Sequence, residues 1–257
     1  MRQTIRNTGK DNIYFVIGEA CILPRNYRDT DEGGNVVFRA CPLPMEEMEC
    51  FEQMQKQVLT SRIQDKNLFE EQALFQDILL VNEIDVYRSL SRKVKFAYTF
   101  ALQQLPTAKW LVKIDDDFFV RIREFEEFIT KTFNDTVPTL ISGLIAESKP
   151  ATSGKWKEVP QYPSSKRYPP FPLGSYGHVV SRPIVEYVAK HQDALFDYQG
   201  EDTSLGIWLS QLNEPAIRIE KTEKMKNHGN CLDHNVLIVG HDITPQMMIE
   251  CNKTTRS

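Results

Sequence analysis

Three consecutive carboxylates follow a short hydrophobic segment near the middle of the chain. The segment is Trp110–Ile114, and the acids are Asp115, Asp116 and Asp117. A short apolar run without polar alternation predicts a strand covered on both faces. Adjacent carboxylates repel one another and need cations, N–H donors or water, because an unpaired buried carboxylate is costly. A divalent metal ion would satisfy these acids, and so would solvent.

Two more acids, Glu201 and Asp202, stand side by side at the start of a helix expected over residues 199–212. Acids in the first turn of a helix most often complement the positive end of the helix dipole. A single histidine such as His241 is likewise more often structural or exposed than a metal ligand. Residue types alone therefore leave a structural and a functional interpretation open for all three.

A segment rich in proline and aromatic residues, Ser153 to Ser181, precedes Glu201 and Asp202. Aromatic faces are natural partners of sugar rings, so the segment suits a sugar-binding wall. Proline-stiffened surface loops have the same composition when their aromatic side chains pack inward. Composition favours neither interpretation.

The elements around the acids predict an α/β fold. Buried strands are expected at residues 12–20, 77–81, 110–114, 138–146 and 235–240. Helices are expected near residue 46 and over 68–75, 87–105, 122–133, 182–196 and 199–212. This alternation predicts a mostly parallel sheet, in which ligands bind outside the carboxyl ends of the strands. The sequence has no GxxxxGK[ST] or GxGxxG loop, so neither a P-loop nor a dinucleotide-binding loop would hold a phosphate group, and a bound metal could do so instead.

Composition indicates one compact domain that binds no nucleic acid. The 257 residues are 41% hydrophobic and 26% charged, which suffices for a substantial core. The net charge of -4 and the scattered lysines and arginines exclude a nucleic-acid-binding stripe. No run approaches the roughly 18 apolar residues of a membrane-spanning helix. The first ten residues also lack the hydrophobic centre of a signal peptide.

Cysteines and glycosylation sequons bear on the compartment. The five cysteines lack CxxC spacing, and they allow one or two disulfides or ordinary buried thiols in a reducing compartment. The sequons Asn134-Asp135-Thr136 and Asn252-Lys253-Thr254 would be glycosylated if the chain entered the secretory pathway.

Several motifs occur in a specific order along the chain. They are RQTIRNT at 2–8, DILL at 77–80, KIDDDFFV at 113–120, GKW at 154–156, YPPF at 168–171, EDTSLG at 201–206 and HDITPQMM at 241–248. The ordered set resembles the β-1,3-glycosyltransferases of glycosyltransferase family 31, which include β-1,3-galactosyltransferases and β-1,3-N-acetylglucosaminyltransferases. Each motif alone is weak, whereas the ordered set is specific.

The resemblance implies a fold, a donor and a location. It implies a single GT-A-type domain over residues 1–257, Rossmann-like, with a mostly parallel sheet flanked by helices. Family members are type II membrane proteins of the Golgi lumen that use a UDP-sugar and Mn2+. They carry an anchor helix, a stem and a first strand before the Arg-x-x-x-Arg motif. We therefore expect this chain to lack these parts, and membrane anchoring to depend on a segment missing from it.

The resemblance also implies roles on the donor side. Asp117 and His241 would bind the metal, since carboxylate and imidazole ligands together suit manganese. Asp115 would face the ribose of the nucleotide and Asp116 would support the site. The basic residues of the first motif, Arg2 and Arg6, would contact the donor.

On the acceptor side, the resemblance implies that Asp202 is the general base that takes a proton from the attacking hydroxyl. Acceptor-binding residues would be Trp156, Tyr168 and Glu201. The expected activity is inverting, metal-dependent transfer of galactose or N-acetylglucosamine to a glycan on a glycoprotein or glycolipid, with a β-1,3 linkage. The alternative is a truncated, non-catalytic form that binds a nucleotide-sugar or a glycan.

Overall fold

The computed structural model describes residues 13–19, 28–30, 36–38, 66–84, 89–154, 156–212 and 216–254. In chain order the strands are β1 Phe15–Glu19, β2 Arg28–Thr30, β3 Val36–Phe38, β4 Ile78–Ile84, β5 Trp110–Lys113, β6 Phe119–Val120, β7 Thr139–Ser142, β8 Ile145–Ala146, β9 Phe171–Pro172, β10 His178–Ser181, β11 Arg218–Lys221, β12 Met225–Asn227 and β13 Ile238–Gly240. The helices are α1 over residues 66–75, α2 Leu90–Gln104, α3 Ile122–Thr132, α4 Arg182–Lys190, α5 Glu201–Ser210 and α6 Pro245–Thr254. Helix α4 ends six residues before its predicted end, and the helix expected near residue 46 lies outside the described residues.

The central sheet is mixed, and the prediction of a mostly parallel sheet is wrong. Its four strands lie in the order β11-β7-β10-β5. Strand β10 runs antiparallel to both of its neighbours, whereas β11 and β7 are parallel. The other parallel pairs are β1 with β4 and β12 with β13. The prediction rested on the alternation of strands with α-helices. It missed β10 because only a short 3-10 helix, Gly174–Tyr176, separates that strand from the proline-rich segment.

Helices cover both faces of this sheet. Successive residues of β7 and β10 alternate between two cores, as the period of two in a strand requires. Leu140 and Val180 pack into a core with α2, α4 and α5, which includes Tyr98, Ile184, Leu205 and Trp208. Ile141 and Val179 pack into a second core with α3, which includes Phe125, Ile129 and Met225. The predicted flanking of the sheet by helices is confirmed.

Two predicted strands differ from expectation. Strand β5 lies at the edge of the four-stranded sheet, and its Val112 is 40% exposed, so the strand is not covered on both faces. The strand expected over 138–146 is divided at Gly143 into β7 and β8. A Cβ atom at Gly143 would lie 2.2 Å from the carbonyl oxygen of Met225, so the close approach of β12 requires glycine there.

A disulfide joins Cys231 to Cys251 and ties α6 to the loop after β12. Both cysteines lie in a small core with Phe119, Val239 and Met248. The bond thereby fixes the surroundings of β13, whose carboxyl end leads to His241. The three remaining cysteines lie outside the described residues.

Within the described ranges, none of the helices combines the length and apolar character needed to cross a bilayer.

Candidate active site

The three aspartates begin two residues after β5 ends, at its carboxyl end, as the sequence predicts. Asp115 and Asp116 are exposed, while Asp117 is partly buried. The next residue, Phe118, is buried and holds the loop against the protein. Its ring occupies the space left by Gly240, where a Cβ atom would lie 2.3 Å from ring carbons. Glycine at position 240 therefore allows the aspartate loop to pack against the end of β13.

The loop after β13 brings His241 to Asp117. His241 Nδ1 lies 2.7 Å from Asp117 Oδ2. The backbone N–H of Asp242 donates to Asp117 Oδ2 at 3.1 Å, and the N–H of Ile243 donates to the Asp117 carbonyl oxygen at 3.1 Å. Two segments far apart in sequence are thus joined by backbone hydrogen bonds. The structure places together the two residues predicted to bind metal.

The side chains at this junction fit a divalent metal ion. One ligand atom each of Asp117, His241 and Asp242 lies within 4.8 Å of the others. Asp117 Oδ1 is buried and has no hydrogen-bond partner in the described part of the chain. Buried polar atoms in proteins nearly always have a hydrogen-bond partner or a bound ion. A cation beside the His241 imidazole would supply the missing partner of Asp117 Oδ1.

Asp242 is a further candidate metal ligand that was not predicted, although it follows His241 directly in the sequence. Its backbone φ is 70°, and that of nearby His228 is 50°. Both angles lie in the left-handed region, which costs on the order of 1 kcal/mol or more for a residue other than glycine. His228 Nδ1 lies 3.6 Å from Asp242 Oδ2. Unusual backbone conformations therefore cluster beside the candidate metal site.

A lysine at the end of β5 links the aspartate loop to Glu201. Lys113 Nζ lies 2.7 Å from Asp115 Oδ1 and 2.9 Å from Glu201 Oε1. Burial alone would lower the pKa of Lys113, but the charges of Glu201 and Asp115 outweigh it and raise that pKa. Burial alone would raise the pKa of Glu201, but the charge and hydrogen bond of Lys113 lower it. One ammonium group thus connects Asp115 of the aspartate loop to Glu201 at the start of α5.

Removal of this ammonium group should destabilise the fold. We expect Lys113→Met to lower the free energy of unfolding by about 3 kcal/mol, because it leaves the Glu201 carboxylate buried without a cation. Urea unfolding followed by circular dichroism would measure the change. The double variant Lys113→Met/Glu201→Gln is the matched control, and it should recover most of the loss. Equal free energies of unfolding for the wild type and Lys113→Met would show that the Lys113–Glu201 ion pair does not stabilise the fold.

His178 lies opposite Lys113 on β10 and stays neutral. Its Nε2 atom hydrogen-bonds the Tyr98 hydroxyl at 3.0 Å, and both side chains are buried. Burial and the nearby Lys113 charge lower the pKa of His178 to about 3. This histidine therefore adds no charge beneath the site at neutral pH.

Asp202 is held at the start of α5 by two backbone donors. Its Oδ1 accepts a hydrogen bond from the N–H of Thr203 at 2.7 Å, and its Oδ2 accepts one from the N–H of Gly174 at 3.0 Å. Burial, followed by the charge of Glu201, raises the pKa of Asp202 to about 6, although the N–H donors oppose this shift. A Cβ atom at Gly200 would lie 2.5 Å from Asp202 Oδ1. Glycine there leaves room for the carboxylate.

The aromatic segment is partly structural. Tyr168, predicted to bind the acceptor, is only 6% exposed, and its hydroxyl donates to Glu158 Oε2 at 2.6 Å. Glu158 Oε1 accepts hydrogen bonds from the N–H groups of Val159 and Gln199 at 2.7 and 2.9 Å. Glu158 thereby ties the segment to the residues before α5. It was not predicted, because an acid in a proline-rich loop carries no sequence signal of its own.

Other predicted site residues have different surroundings. Trp156 is 62% exposed, whereas Glu201, also predicted to bind the acceptor, is 6% exposed and paired with Lys113. The ring of Tyr162 lies 4.9 Å from that of Tyr168 and 5.7 Å from that of Tyr198. Aromatic packing therefore accounts for part of the segment, and Trp156 remains exposed. The predicted donor contacts Arg2 and Arg6 lie outside the described residues.

A family model described as Galactosyltransferase matches residues 57–220, which is more than half of the chain. The chain belongs to this galactosyltransferase family. The matched range includes the three aspartates, the Lys113–Glu201 pair and Asp202. His241 and Asp242 lie beyond it.

Curated relatives agree with the family. The chain is 32% identical over 161 residues to UDP-GalNAc:beta-1,3-N-acetylgalactosaminyltransferase 2 of Xenopus laevis, covering 63% of this chain and 32% of that protein. It is 32% identical over 151 residues to the protein of the same name in Homo sapiens, covering 58% and 29%. It is 31% identical over 156 residues to Beta-1,3-galactosyltransferase GALT1 of Arabidopsis thaliana, covering 58% and 24%. The aligned part thus spans about a third or less of these relatives. The chain is related to UDP-sugar β-1,3-glycosyltransferases.

Proposed function

We propose that this protein is an inverting, metal-dependent β-1,3-glycosyltransferase that moves a hexosyl group from a UDP-sugar to a hydroxyl of a glycan. The observation that carries the proposal is the Lys113 ammonium group, which contacts both Asp115 of the aspartate loop and Glu201, the neighbour of Asp202. This ammonium group connects the aspartate loop to the start of α5, where Asp202 lies. Membership of the galactosyltransferase family supports glycosyl transfer as the chemistry.

On the donor side, Asp117, His241 and Asp242 would hold a divalent ion, for which we propose Mn2+. When bound, such an ion neutralises the charge that develops on the departing diphosphate. The backbone N–H groups of Asp242 and Ile243 keep Asp117 in position. Lys113 holds Asp115 at the same edge of the sheet, where we propose that this acid faces the nucleotide.

On the acceptor side, Asp202 would take the proton of the acceptor hydroxyl. The hydroxyl oxygen forms a bond to the anomeric carbon of the donor while the bond from that carbon to the diphosphate breaks, so UDP leaves with the electron pair. The configuration at the anomeric carbon inverts. The N–H groups of Thr203 and Gly174 hold the carboxylate during this step. Exposed Trp156 is the aromatic residue that we propose contacts the acceptor sugar.

A pH dependence follows from the pKa of Asp202. Burial and Glu201 raise this pKa to about 6, and only the ionised carboxylate accepts a proton. We expect kcat/KM to be maximal above pH 6 and to fall about tenfold per pH unit below it. Initial rates between pH 4.5 and 8 at saturating metal would measure the profile. A rate that stays constant down to pH 4.5 would contradict a base with this pKa.

The relatives guide the choice of donor and location. Their names specify N-acetylgalactosaminyl and galactosyl transfer, so we propose galactose or an N-acetylhexosamine as the transferred sugar. We further propose a GT-A-type fold in one domain over residues 1–257, acting in the Golgi lumen on glycoproteins or glycolipids. The Cys231–Cys251 disulfide supports an oxidising compartment.

A donor panel tests the proposed function. UDP release would be measured with UDP-galactose, UDP-N-acetylgalactosamine and UDP-N-acetylglucosamine, with Mn2+ or with a chelator, in the presence of β-linked acceptor sugars. We expect acceptor-dependent UDP release with one donor and its loss with the chelator. UDP binding without release from any donor would instead favour the non-catalytic nucleotide-sugar-binding alternative.

A further inference from the structure

The two glycosylation sequons lie in different structural surroundings. Asn134-Asp135-Thr136 lies in the exposed loop between α3 and β7, and Asn134 and Thr136 are both exposed. Asn252-Lys253-Thr254 lies inside helix α6, directly after the disulfide-bonded Cys251. The proposed reaction uses neither sequon. We propose that Asn134 carries an N-linked glycan and that Asn252 does not.

The local geometry of Asn134 suits this modification. Asn134 Oδ1 accepts hydrogen bonds from the Thr136 backbone N–H at 3.0 Å and from the Thr136 hydroxyl at 2.9 Å. The hydroxyl thus contacts the amide that would react, and no hydrogen bond in the described part of the chain occupies the Nδ2 atom. An attached glycan would replace a hydrogen on the amide of an exposed residue. It would displace no packed side chain.

The turn is fixed to the sheet at the end opposite to the candidate active site. Asp135 Oδ2 lies 2.7 Å from Lys109 Nζ, just before the first residue of β5. The carbonyl oxygen of Val137 accepts a hydrogen bond from the Ser181 hydroxyl at 2.8 Å. Asp115 to Asp117 follow the other end of β5. The two ends of this four-residue strand are about 13 Å apart. A glycan on Asn134 would therefore be attached at the end of the sheet opposite to the three aspartates.

Asn252 has the opposite properties. Its side chain is partly buried, and α6 packs into the core that contains the Cys231–Cys251 disulfide. Residues two apart on a helix do not face each other, so a helical backbone at 252–254 is incompatible with the turn found at 134–136. A glycan at this position would be attached to a partly buried side chain next to the disulfide-bonded Cys251. The folded chain therefore favours the first sequon alone.

The modification is a balanced group transfer. The co-reactant is an oligosaccharide joined through a diphosphate to a membrane lipid, and a membrane enzyme of the secretory pathway catalyses the step. A bond forms between Asn134 Nδ2 and the first carbon of the oligosaccharide, while the bond from that carbon to the diphosphate breaks. The lipid diphosphate leaves with the electron pair, and one amide proton is released. The inference rests on the proposed luminal location, and it is independent of catalysis.

Secretion of the full chain behind a cleavable signal peptide from cultured eukaryotic cells tests the inference. Peptide-N-glycosidase converts a glycosylated asparagine to aspartate, and peptide mass spectrometry would locate the change. We expect conversion at Asn134, none at Asn252, and a loss of mass equal to one glycan. A secreted chain that is unmodified at Asn134, or modified only at Asn252, would overturn the proposal.

Matched variants sharpen this test. Asn134→Gln and Thr136→Ala should each abolish the modification, whereas Thr136→Ser should retain it, because serine also supplies the hydroxyl of the sequon. Asn252→Gln should change nothing. Retention of the glycan in Asn134→Gln would overturn the assignment. Sugar transfer measured on the same samples separates the two proposals, since a glycosylated chain without transferase activity would contradict only the proposed function.

Discussion

Asp202→Asn is expected to lower kcat by about 10²- to 10⁴-fold while UDP binding persists, the usual range for loss of a general base. Asparagine keeps the size of the side chain and an oxygen that can accept a backbone N–H, but it cannot take a proton from the acceptor. The metal-binding side chains are not altered. Initial transfer rates and calorimetric titration with UDP would separate the effect on chemistry from that on binding.

The matched control for this variant is Asp193→Asn, which changes an exposed acid outside the site. It should transfer sugar at the wild-type rate. Circular dichroism should show that both variants are folded. Full turnover by Asp202→Asn would remove Asp202 from the mechanism, and Glu201 would not replace it easily, because this acid is buried and paired with Lys113.

Asp117→Ala is expected to weaken Mn2+ binding by about 100-fold or more and to reduce transfer to a similar extent. Loss of a residue that only orients a ligand already costs about 10- to 100-fold in affinity, and loss of a ligand should cost at least as much. Asp117 Oδ1 has no hydrogen-bond partner among the described residues, so we expect this oxygen to bind the cation. Electron paramagnetic resonance of free Mn2+ would measure binding without reference to activity.

Graded controls accompany the Asp117 variant. His241→Ala should weaken Mn2+ binding as strongly, whereas Asp242→Ala should have a smaller effect because its side chain is 72% exposed. Asp233→Ala changes an exposed acid elsewhere in the same region and should bind Mn2+ normally. Unchanged Mn2+ affinity in Asp117→Ala would show that the ion binds elsewhere.

Much of the fold is predictable from short-range patterns. Helical spacing of apolar residues correctly predicted α2 and α3, and compact apolar runs predicted β1, β4 and β5. Strand β10 was missed, because its four buried residues follow a proline-rich segment and its pairing with β5 and β7 is antiparallel. Whether two strands pair in parallel or antiparallel depends on residues far apart in sequence. The alternation of strands and helices therefore does not predict the direction of a strand that joins the sheet without a connecting α-helix.

The candidate site was likewise predictable only in part. The aspartates were predicted from their position after a strand, but His241 and Asp202 stood out only through the ordered motifs. Lys113 was not predicted as a candidate site residue, because a single polar residue within an apolar strand gives no indication of function. Its role depends on Glu201, a distant residue that lies 2.9 Å away in the structure.

The configuration of the glycosidic product would show directly whether this chain catalyses inverting β-1,3 transfer. Proton NMR would follow the reaction of the α-linked UDP-sugar identified in the donor panel with its acceptor in the presence of Mn2+. We expect a new anomeric signal with the large coupling of a β-linkage and a substituted acceptor O3. A product with an α-linkage, or donor binding with no glycosidic product, would show that the chain does not catalyse this transfer.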